Sequence, residues 1–400
     1  MARRLAALLL PIAFAACADP ATAPRASSQA AVVRADRLPS GGSRALTVMT
    51  RNLYLGGDIF AVAAPSATPI PVRVAQFWQT VLASNFPERA GTIAKEIGDA
   101  SPELIGLQEV PIYRIDPLGD AAVGGTHPAT VVALDFLATL QDSLAARGLC
   151  YRVASSDLLS DLEFPMVASV SPLRFVDLRY TDRDVVLARC DVPTSDPRSG
   201  VYSARLTVSV AGLSVSVLRG WASTLATWGG VTYRFATTHL ETNGSPTVQV
   251  AQARELIAVL ASEAHPVVLV GDFNSAADGS QTATYGILLS EGGFVDAWAE
   301  AHPHDPGYTS SLPESLFGPP QLRTRIDLVL VRYDFPSWSH TGIVGGVHAD
   351  VIGEETPADL TPSGRWPSDH AGVVVTLNTP KAVEKFNGPA APATASAKKK

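Results

Sequence analysis

The chain has 400 residues, of which 46% are hydrophobic and 17% charged, with a formal net charge of −7 and a pI near 5.6. This length is enough for one large domain or two modest ones, and a weakly acidic body without basic runs is not built for strong non-specific binding to a phosphate backbone. The 31 glycines and 30 prolines favour a loop-rich α/β or β-rich protein over a helical bundle.

The N-terminal segment has the pattern of an export signal followed by a tether. Arg3 and Arg4 precede the apolar stretch LAALLLPIAFAA, which is too short to span a bilayer. The string FAAC resembles the lipobox of bacterial lipoproteins and predicts lipid attachment at Cys17; the alternative is ordinary signal cleavage at the same small-residue site. We expect a signal peptide over 1–17, a flexible linker over 18–43, and a protein that is lipid-anchored to the cell envelope, periplasmic or extracellular.

From 44 to 380 the pattern predicts one domain in which many strands alternate with few helices. Short apolar or alternating runs bounded by turn residues indicate strands, and apolar residues at helical spacing indicate helices. The predicted strands cover 45–52, 103–110, 151–155, 175–180, 184–190, 205–210, 213–221, 231–241, 267–274, 324–332 and 371–377. The predicted helices cover 86–100, 130–148, 247–264 and 283–293. Residues 111–129 are predicted to be a loop, and 381–400 a disordered tail.

Several of these strands are continuously apolar, as in VVLVG and LVLV, which indicates sheets covered on both faces. The predicted fold is therefore α/β, a four-layer α/β/β/α sandwich. In it, two mixed, mostly antiparallel sheets pack face to face with the helices outside.

Two cysteines besides Cys17 fall next to predicted strands. Cys150 precedes the strand YRVAS, and Cys190 ends the strand DVVLARC. If these strands are antiparallel neighbours, the two Cα atoms come close enough for a disulfide, which export would permit. The alternative is a pair of buried free thiols.

Polar side chains are concentrated where the apolar runs begin or end. They are Asn52, Glu109, His239, Asp272, Asn274, Asp327, Asp369 and His370. Carboxylates gathered at one edge of a core require a cation or a shared proton. Oxygen ligands of this kind suit Mg²⁺, with Mn²⁺ or Ca²⁺ as alternatives, and the Cys/His spacing of structural zinc is absent from the sequence.

The residue types suggest a division of labour. Glu109 and Asp369 can hold the ion, with Asn52 as a neutral ligand beside them. Asp272 can accept a proton from an attacking water, while the Asn274 amide donates to a phosphate oxygen. The two histidines could protonate a leaving oxygen and stabilise the developing charge, and Asp327 could fix the tautomer of His370.

Six strings in order carry a family resemblance: MTRNLYLG, LIGLQEV, TTHLET, VVLVGDFNS, RIDLVLV and SDH. The chain resembles the endonuclease/exonuclease/phosphatase superfamily, which includes pancreatic deoxyribonuclease, neutral sphingomyelinases and inositol-polyphosphate 5-phosphatases. The resemblance implies metal binding at Asn52, Glu109 and Asp369, and catalysis by the residues His239, Asp272, Asn274, Asp327 and His370. A histidine at 239 argues against the abasic-site endonuclease branch.

Other positions match the family pattern less fully. Arg219 in VLRGW resembles a phosphate-contacting arginine, so Arg219 and Asn274 are the predicted substrate-binding residues. Arg183 in DRDVVLAR resembles a position in a core strand and is interpreted as structural. Asp58 in the glycine-rich NLYLGGD segment is either a second metal contact or a turn residue, and we favour the turn.

The predicted function is Mg²⁺-dependent hydrolysis of a phosphodiester or phosphomonoester by an activated water. The substrate stays open between a lipid head group, a nucleic acid and a small phosphorylated molecule. The acidic charge and the predicted tether favour a small or lipid substrate over duplex DNA. The alternatives are an extracellular nuclease and a non-catalytic binding module with the same fold. We expect a monomer that contacts a membrane only through a lipid on Cys17.

Overall fold

The computed structural model describes residues 45–210, 213–333 and 346–378, and most strands in these ranges belong to two six-stranded sheets. The predicted signal peptide, the linker, Cys17 and the tail over 381–400 lie outside the described residues. Among the described residues, no helix is both long and apolar enough to cross a membrane.

The strands and helices are numbered in chain order. The strands are β1 (Leu46–Asn52), β2 (Leu104–Gln108), β3 (Ile112–Asp116), β4 (Val131–Asp135), β5 (Tyr151–Ser156), β6 (Asp161–Val170), β7 (Leu173–Thr181), β8 (Val185–Arg189), β9 (Thr194–Val201), β10 (Leu206–Val210), β11 (Leu213–Val217), β12 (Gly220–Trp228), β13 (Val231–His239), β14 (Val267–Asp272), β15 (Val295–Asp296), β16 (Asp327–Arg332), β17 (Val347–Ile352) and β18 (Gly372–Leu377). The helices are α1 (Phe60–Ala63), α2 (Ile70–Ala83), α3 (Phe86–Ala100), α4 (Phe136–Ala146), α5 (Pro246–Leu260), α6 (Thr284–Ser290) and α7 (Ala297–Ala301), with a 3₁₀ turn at Asp120–Val123.

The first large sheet has the strand order β17-β18-β1-β2-β8-β5, and the second has the order β15-β16-β14-β13-β12-β9. Most pairs are antiparallel, but β1 with β2 and β13 with β14 are parallel. Strands β4-β3-β7-β6 form a separate four-stranded sheet, the accessory sheet, and β10 and β11 form a hairpin. The sheets are thus mixed and mostly antiparallel, as the sequence predicts.

The two large sheets pack face to face through one apolar core. Val48 and Leu104 of the first sheet share this core with Phe235, Val270 and Val329 of the second. The outer face of the first sheet packs on α2, α3 and α4, and that of the second on α5 and α6. This arrangement is the predicted α/β/β/α sandwich.

Gly106 in β2 lets the two sheets approach closely. A Cβ at this position would lie 2.4 Å from Val270 Cγ2 and 2.7 Å from Thr237 Oγ1 on the facing sheet. Any larger side chain would force the sheets apart at the level of the polar strand ends.

The accessory sheet accounts for two predictions that are wrong. Val131–Asp135, predicted to start a helix, is strand β4, and the helix begins only at Phe136. Asp135 caps that helix by accepting from the backbone N–H of Leu137 at 3.0 Å. Part of the predicted loop 111–129 is β3, which pairs with both β4 and β7. Long-range pairing partners, which local periodicity does not report, decide both segments.

Helix α2 and strands β6, β9 and β17 all lie in segments without a predicted element. For α2 a local signal was present and was missed, since Val74, Phe77, Trp78 and Val81 stand at helical spacing. Strand β9 has the sequence TSDPRSGV and is mostly exposed at the edge of its sheet. Because it buries few side chains, it shows no alternation of apolar residues that would predict a strand.

The predicted disulfide is present. Cys150 and Cys190 are bonded, with their Cα atoms 5.5 Å apart. Strands β5 and β8 are antiparallel neighbours in which Tyr151 faces Arg189, so the cysteines flank the end of the ladder. The predicted bridge between antiparallel neighbours is confirmed.

Candidate active site

Three of the predicted catalytic residues stand side by side on adjacent strands. In the parallel pair β13 and β14, His239 faces Asp272, and in the antiparallel pair β14 and β16, Asp272 faces Asp327. The neighbouring sheet adds Asn52 at the end of β1, and the segment before β18 adds His370. The register of the sheets therefore brings side chains more than 300 residues apart in sequence into one groove.

The Asp272 carboxylate is the centre of the groove. Its Oδ1 accepts the backbone N–H of Asn274 at 2.9 Å, and its Oδ2 accepts the Asn52 side-chain amide at 3.1 Å. The same Oδ2 lies 3.5 Å from His239 Nε2 and 3.8 Å from His370 Nδ1. Burial raises the pKa of Asp272 to about 7; His370 opposes this shift, and Asp327 adds to it. A carboxyl that titrates near neutrality suits proton transfer.

His370 is held by a buried acid. Its Nδ1 lies 2.9 Å from Asp327 Oδ2, which also accepts the Thr309 hydroxyl at 2.6 Å. Burial lowers the His370 pKa, but the charges of Asp327, Asp272 and Asp369 more than offset it, so the pKa lies well above its usual range. The three carboxylates therefore favour the protonated form of His370.

The pKa of His239 is shifted in the opposite direction from that of His370. Arg219 Nη1 lies 2.9 Å from His239 Nδ1 and can only donate, so Nδ1 is the acceptor and the ring proton sits on Nε2. Burial, followed by the charges of Arg219 and His370, lowers the His239 pKa well below its usual range. His239 is a neutral ring whose N–H points towards Asp272. The Asn274 amide nitrogen donates to the Leu240 carbonyl at 3.0 Å. It also lies 3.0 Å from Nε2, but in this tautomer both groups are donors and the contact is not a hydrogen bond.

Glu109 and Asp369, the predicted metal ligands, line the same groove. Glu109 stands just after β2 with a φ of 53°, and its Oε2 accepts the Leu55 N–H at 2.7 Å. Burial raises the pKa of Glu109, and Asp369 raises it further. Burial also raises the pKa of Asp369, against the opposing charges of His370 and Arg89.

The donor set fits a divalent cation. Carboxylate oxygens of Asp272 and Asp327 lie within 4.8 Å of each other and of a ring nitrogen of His370, and Glu109 and Asp369 add two further carboxylates. The carboxylates are the candidate donors, because the His370 nitrogen already pairs with Asp327. Among the described residues, Asp327 Oδ1 is buried without a hydrogen-bond partner. Carboxylates so concentrated repel one another unless a cation or protons neutralise them. Hard oxygen donors of this kind suit Mg²⁺, Mn²⁺ or Ca²⁺.

The groove continues from the polar centre into an apolar wall. Helix α1, the accessory sheet and the β10–β11 hairpin build this wall. Its apolar members include Leu55, Ile59, Phe60, Val62, Leu162, Phe164, Val208, Val215 and Val217. Within the described part of the chain, Arg219 is the one arginine of the lining, which contains no lysine.

Sequence reasoning missed three polar residues of the site. Thr309 fixes Asp327, Glu241 lies 3.8 Å from Arg219, and Asp182 lines the groove with a pKa that burial and Glu109 raise to about 6. Of these three, only Glu241 could have been found from the sequence, because it lies two residues after His239 in the string TTHLE. The other two reach the site through pairing of distant segments.

Asp58 and Arg183 have the roles that we favoured from the sequence, a turn residue and a structural residue. Asp58 Oδ1 accepts the Phe60 N–H at 2.8 Å, as expected for a turn residue, although Asp58 also lines the groove. Arg183 donates to the Val110 carbonyl and pairs with Asp135 at 2.7 Å, which is a structural role.

Fold and site together define an α/β/β/α protein with a carboxylate- and histidine-lined groove suited to a divalent metal. The family model of the Endonuclease/Exonuclease/phosphatase family matches residues 81–370, and the chain belongs to that family. Members of this family are generally metal-dependent hydrolases of phosphoesters. A search of curated proteins finds no match.

Solved structures similar to this chain include a humanised D. rerio TDP2 carrying 14 mutations, at 17% identity and a TM-score of 0.48. The match covers 84% of this chain and 99% of that one. A family protein from Leptotrichia buccalis is 15% identical with a TM-score of 0.48, over 84% and 100% of the two chains. One from Bacteroides thetaiotaomicron is 17% identical with a TM-score of 0.47, over 84% and 95%.

Proposed function

We propose that this protein is a Mg²⁺-dependent hydrolase of phosphoric esters that uses an activated water. The observation that carries the proposal is the position of Asp272, whose Oδ2 lies 3.5 Å from a neutral His239 and 3.8 Å from a cationic His370. A base flanked by two hydrogen-bond donors of different charge is suited to attack on a phosphorus centre.

Glu109 and Asp369 would hold the cation, with Asn52 beside them, because Asp272 and Asp327 are already engaged by Asn52, Asn274, Thr309 and His370. When bound, the cation would neutralise charge on the phosphate oxygens. Mg²⁺ is our choice among hard cations; Mn²⁺ and Ca²⁺ are the alternatives.

The chain's own residues would divide the remaining work. Asp272, with a pKa near 7, would take the proton of the attacking water. His370, protonated and oriented by Asp327, would stabilise charge that develops on the phosphate and would give its Nε2 proton to the leaving oxygen. His239 would donate a hydrogen bond from Nε2, and Arg219 would keep that tautomer. Each of these groups is positioned by a strand or by a buried partner before the substrate arrives.

The walls of the groove favour a substrate that joins a compact phosphate to an apolar group, such as a lipid. Apolar side chains dominate the wall, and acidic Asp58, Asp182 and Glu314 line it as well. A nucleic-acid site would need a basic track along the backbone. A nuclease acting on single strands is the second candidate, because Arg219 lies close to the catalytic groups.

A substrate panel would test this proposal. Bis-p-nitrophenyl phosphate, DNA, RNA and sphingomyelin would be assayed with Mg²⁺, Mn²⁺ or Ca²⁺ and with EDTA. We expect metal-dependent hydrolysis that Asp272→Asn removes and Asp58→Asn retains, since Asp58 is an exposed turn residue in the same groove. Failure to hydrolyse any ester with any of these metals would leave a non-catalytic binding module.

We also propose that the protein is exported and carries a lipid on Cys17, and that it is a monomer. The FAAC string and the apolar stretch before it support the first proposal. Mass spectrometry of the mature N-terminus would show an acylated cysteine. An unmodified N-terminus at residue 18 or beyond would instead indicate a freely exported enzyme.

A further inference from the structure

A second group of carboxylates lies in the accessory sheet. Oxygen atoms of Asp116, Asp120 and Asp177 lie within 4.8 Å of one another. Asp116 ends β3 and faces Asp177 of β7 directly in the antiparallel register, while Asp120 reaches them from the 3₁₀ turn. None of the three lines the catalytic groove. The group is therefore a separate feature of the molecule.

Asp177 is the buried member that points to a ligand. Its side chain is 0% exposed, and its Oδ2 accepts the Ala121 N–H at 3.1 Å. Its Oδ1 is buried without a hydrogen-bond partner among the described residues, as is Asp120 Oδ1. Like charges directly opposite on paired strands are destabilising, and a buried carboxylate oxygen without a donor is costly. These oxygens lack the positive partner that their position requires.

The charges around the group do not supply that partner. His127 Nδ1 lies 2.7 Å from Asp116 Oδ2, but the His127 side chain is 57% exposed, and this contact engages Asp116 alone. Glu163, on β6, adds negative charge near Asp177. Burial raises the pKa of Asp177, and the charges of Glu163 and Asp120 raise it further, as does a side-chain hydrogen bond that Asp177 can form with Asp120 when it is protonated. Arg179 also interacts with Glu163, but it pairs with Asp161. Among the described residues, His127 is thus the one basic side chain that pairs with any of the three aspartates.

Backbone groups of the loop that carries Asp120 hold the carboxylates of Asp116 and Asp120 in place. Leu118 N–H donates to Asp116 Oδ1 at 3.0 Å, and His127 N–H donates to Asp120 Oδ2 at 3.1 Å. Gly125 packs against Asp120 so closely that a Cβ there would lie 2.0 Å from Asp120 Oδ2. A side chain at 125 would displace the carboxylate from the group.

We propose that Asp116, Asp120 and Asp177 form a second divalent-cation site that takes Ca²⁺. The donors are oxygens only, which suits a hard cation. They sit partly on an irregular loop, and Ca²⁺ tolerates such geometry better than the strictly octahedral Mg²⁺. Strands β6 and β7 also carry Leu162, Phe164 and Tyr180 into the groove wall, so the ion would stabilise that wall.

Calcium titration of the full-length protein with Mg²⁺ present would test the site by calorimetry and thermal denaturation. We expect Ca²⁺ to bind and to raise the Tm of the wild type. Asp177→Asn should lower the affinity at least tenfold and remove the rise in Tm. In EDTA the same variant should melt no lower than the wild type, because the amide oxygen can still accept from Ala121 while one like charge is gone. A role in folding alone would instead lower the Tm of this variant in EDTA.

Two further variants locate the ion. Asp142→Asn removes an exposed acid from α4 and should leave Ca²⁺ binding unchanged. Glu109→Gln alters the catalytic groove and should also retain the Ca²⁺ response. The proposal is overturned if the wild type binds no Ca²⁺ at millimolar concentration. It is overturned equally if Glu109→Gln loses the response while Asp177→Asn keeps it.

Discussion

Asp327 Oδ2 lies 2.9 Å from His370 Nδ1 and also accepts the Thr309 hydroxyl at 2.6 Å. The Asp327 side chain is fully buried, whereas that of His370 is 12% exposed. The acid thus fixes the ring while Nε2 stays available to a ligand. The pairing joins β16 to the segment before β18, and it gives the groove a cation whose orientation does not depend on substrate.

We expect Asp327→Asn to lower kcat by about 10²- to 10⁴-fold, because the amide neither holds the imidazolium nor fixes its orientation. Mg²⁺ affinity, measured by calorimetry, should change little. Thr309→Val removes only the second hydrogen bond to Asp327, so it should lower kcat by a smaller factor than Asp327→Asn. Equal loss of Mg²⁺ affinity and turnover in Asp327→Asn would make Asp327 a metal ligand instead.

Glu109→Gln should weaken Mg²⁺ binding and lower activity together, since it removes a carboxylate from the predicted ligand pair with Asp369. Activity should recover in part as the Mg²⁺ concentration rises, which a loss of chemistry alone would not allow. Kinetic titration with Mg²⁺ provides the measurement, with Asp58→Asn as the matched groove control. Wild-type activity of Glu109→Gln at limiting Mg²⁺ would remove Glu109 from the site.

His239→Ala should lower the turnover of aryl and alkyl phosphodiesters by similar factors. The sequence suggested that a histidine could protonate the leaving oxygen, but the pKa of His239 is lowered well below its usual range, so the ring donates a hydrogen bond without carrying a positive charge. Comparing p-nitrophenyl and alkyl esters separates the two roles, because a good leaving group needs no acid. Selective sparing of the p-nitrophenyl ester would restore His239 as the proton donor.

Asp157 and Asp184 should make stability depend on pH. Burial raises the pKa of both well above the unfolded value of about 3.9, and three of their four oxygens lack partners among the described residues. The protonated pair therefore contributes stability that is complete below about pH 4 and is lost as the pH rises towards the folded-state pKa. Asp157→Asn keeps an acceptor for the Asp184 N–H, which donates at 2.7 Å.

We expect Asp157→Asn to be more stable than the wild type at pH 8 by about 1–2 kcal/mol, with little gain near pH 4. Urea denaturation at both pH values would measure this difference, with exposed Asp142→Asn as the control. If the variant is less stable than the wild type at pH 8, the ionised Asp157–Asp184 pair must gain more from its contacts than it loses through burial.

The disulfide should contribute about 4 kcal/mol in the chain-entropy model, because it closes a loop with a sequence separation of 40 residues. The double variant Cys150→Ser/Cys190→Ser should show that loss in urea denaturation. Activity at 25 °C should persist, since neither cysteine lines the groove. A variant as stable as the wild type would show that the bridge does not restrict the unfolded chain as the chain-entropy model assumes.

The sequence by itself determined the inner strands of the two central sheets and the residues at their ends, but not the edge strands β9, β15 and β17. Runs such as VVLVGD are so apolar that they are stable only between two covered layers, and a polar residue ending such a run stands out against it. Six strings in order then suffice to indicate the family. For the disulfide the sequence left two alternatives open, a bridge or two free thiols. Cys150 precedes one strand and Cys190 ends another, so they meet only if those strands are antiparallel neighbours.

The tertiary structure alone decided the partners and the charge states of those residues. Nothing local to TTHLE shows that Arg219 donates to His239, or that Thr309 and His370 share one oxygen of Asp327. The accessory sheet also depends on tertiary structure. Its strand β4, with the sequence VVALD, pairs with β3 although its local pattern predicts a helix. Hydrogen bonds across sheets and the desolvation of buried groups depend on segments far apart in the chain. Periodicity within a window cannot report them.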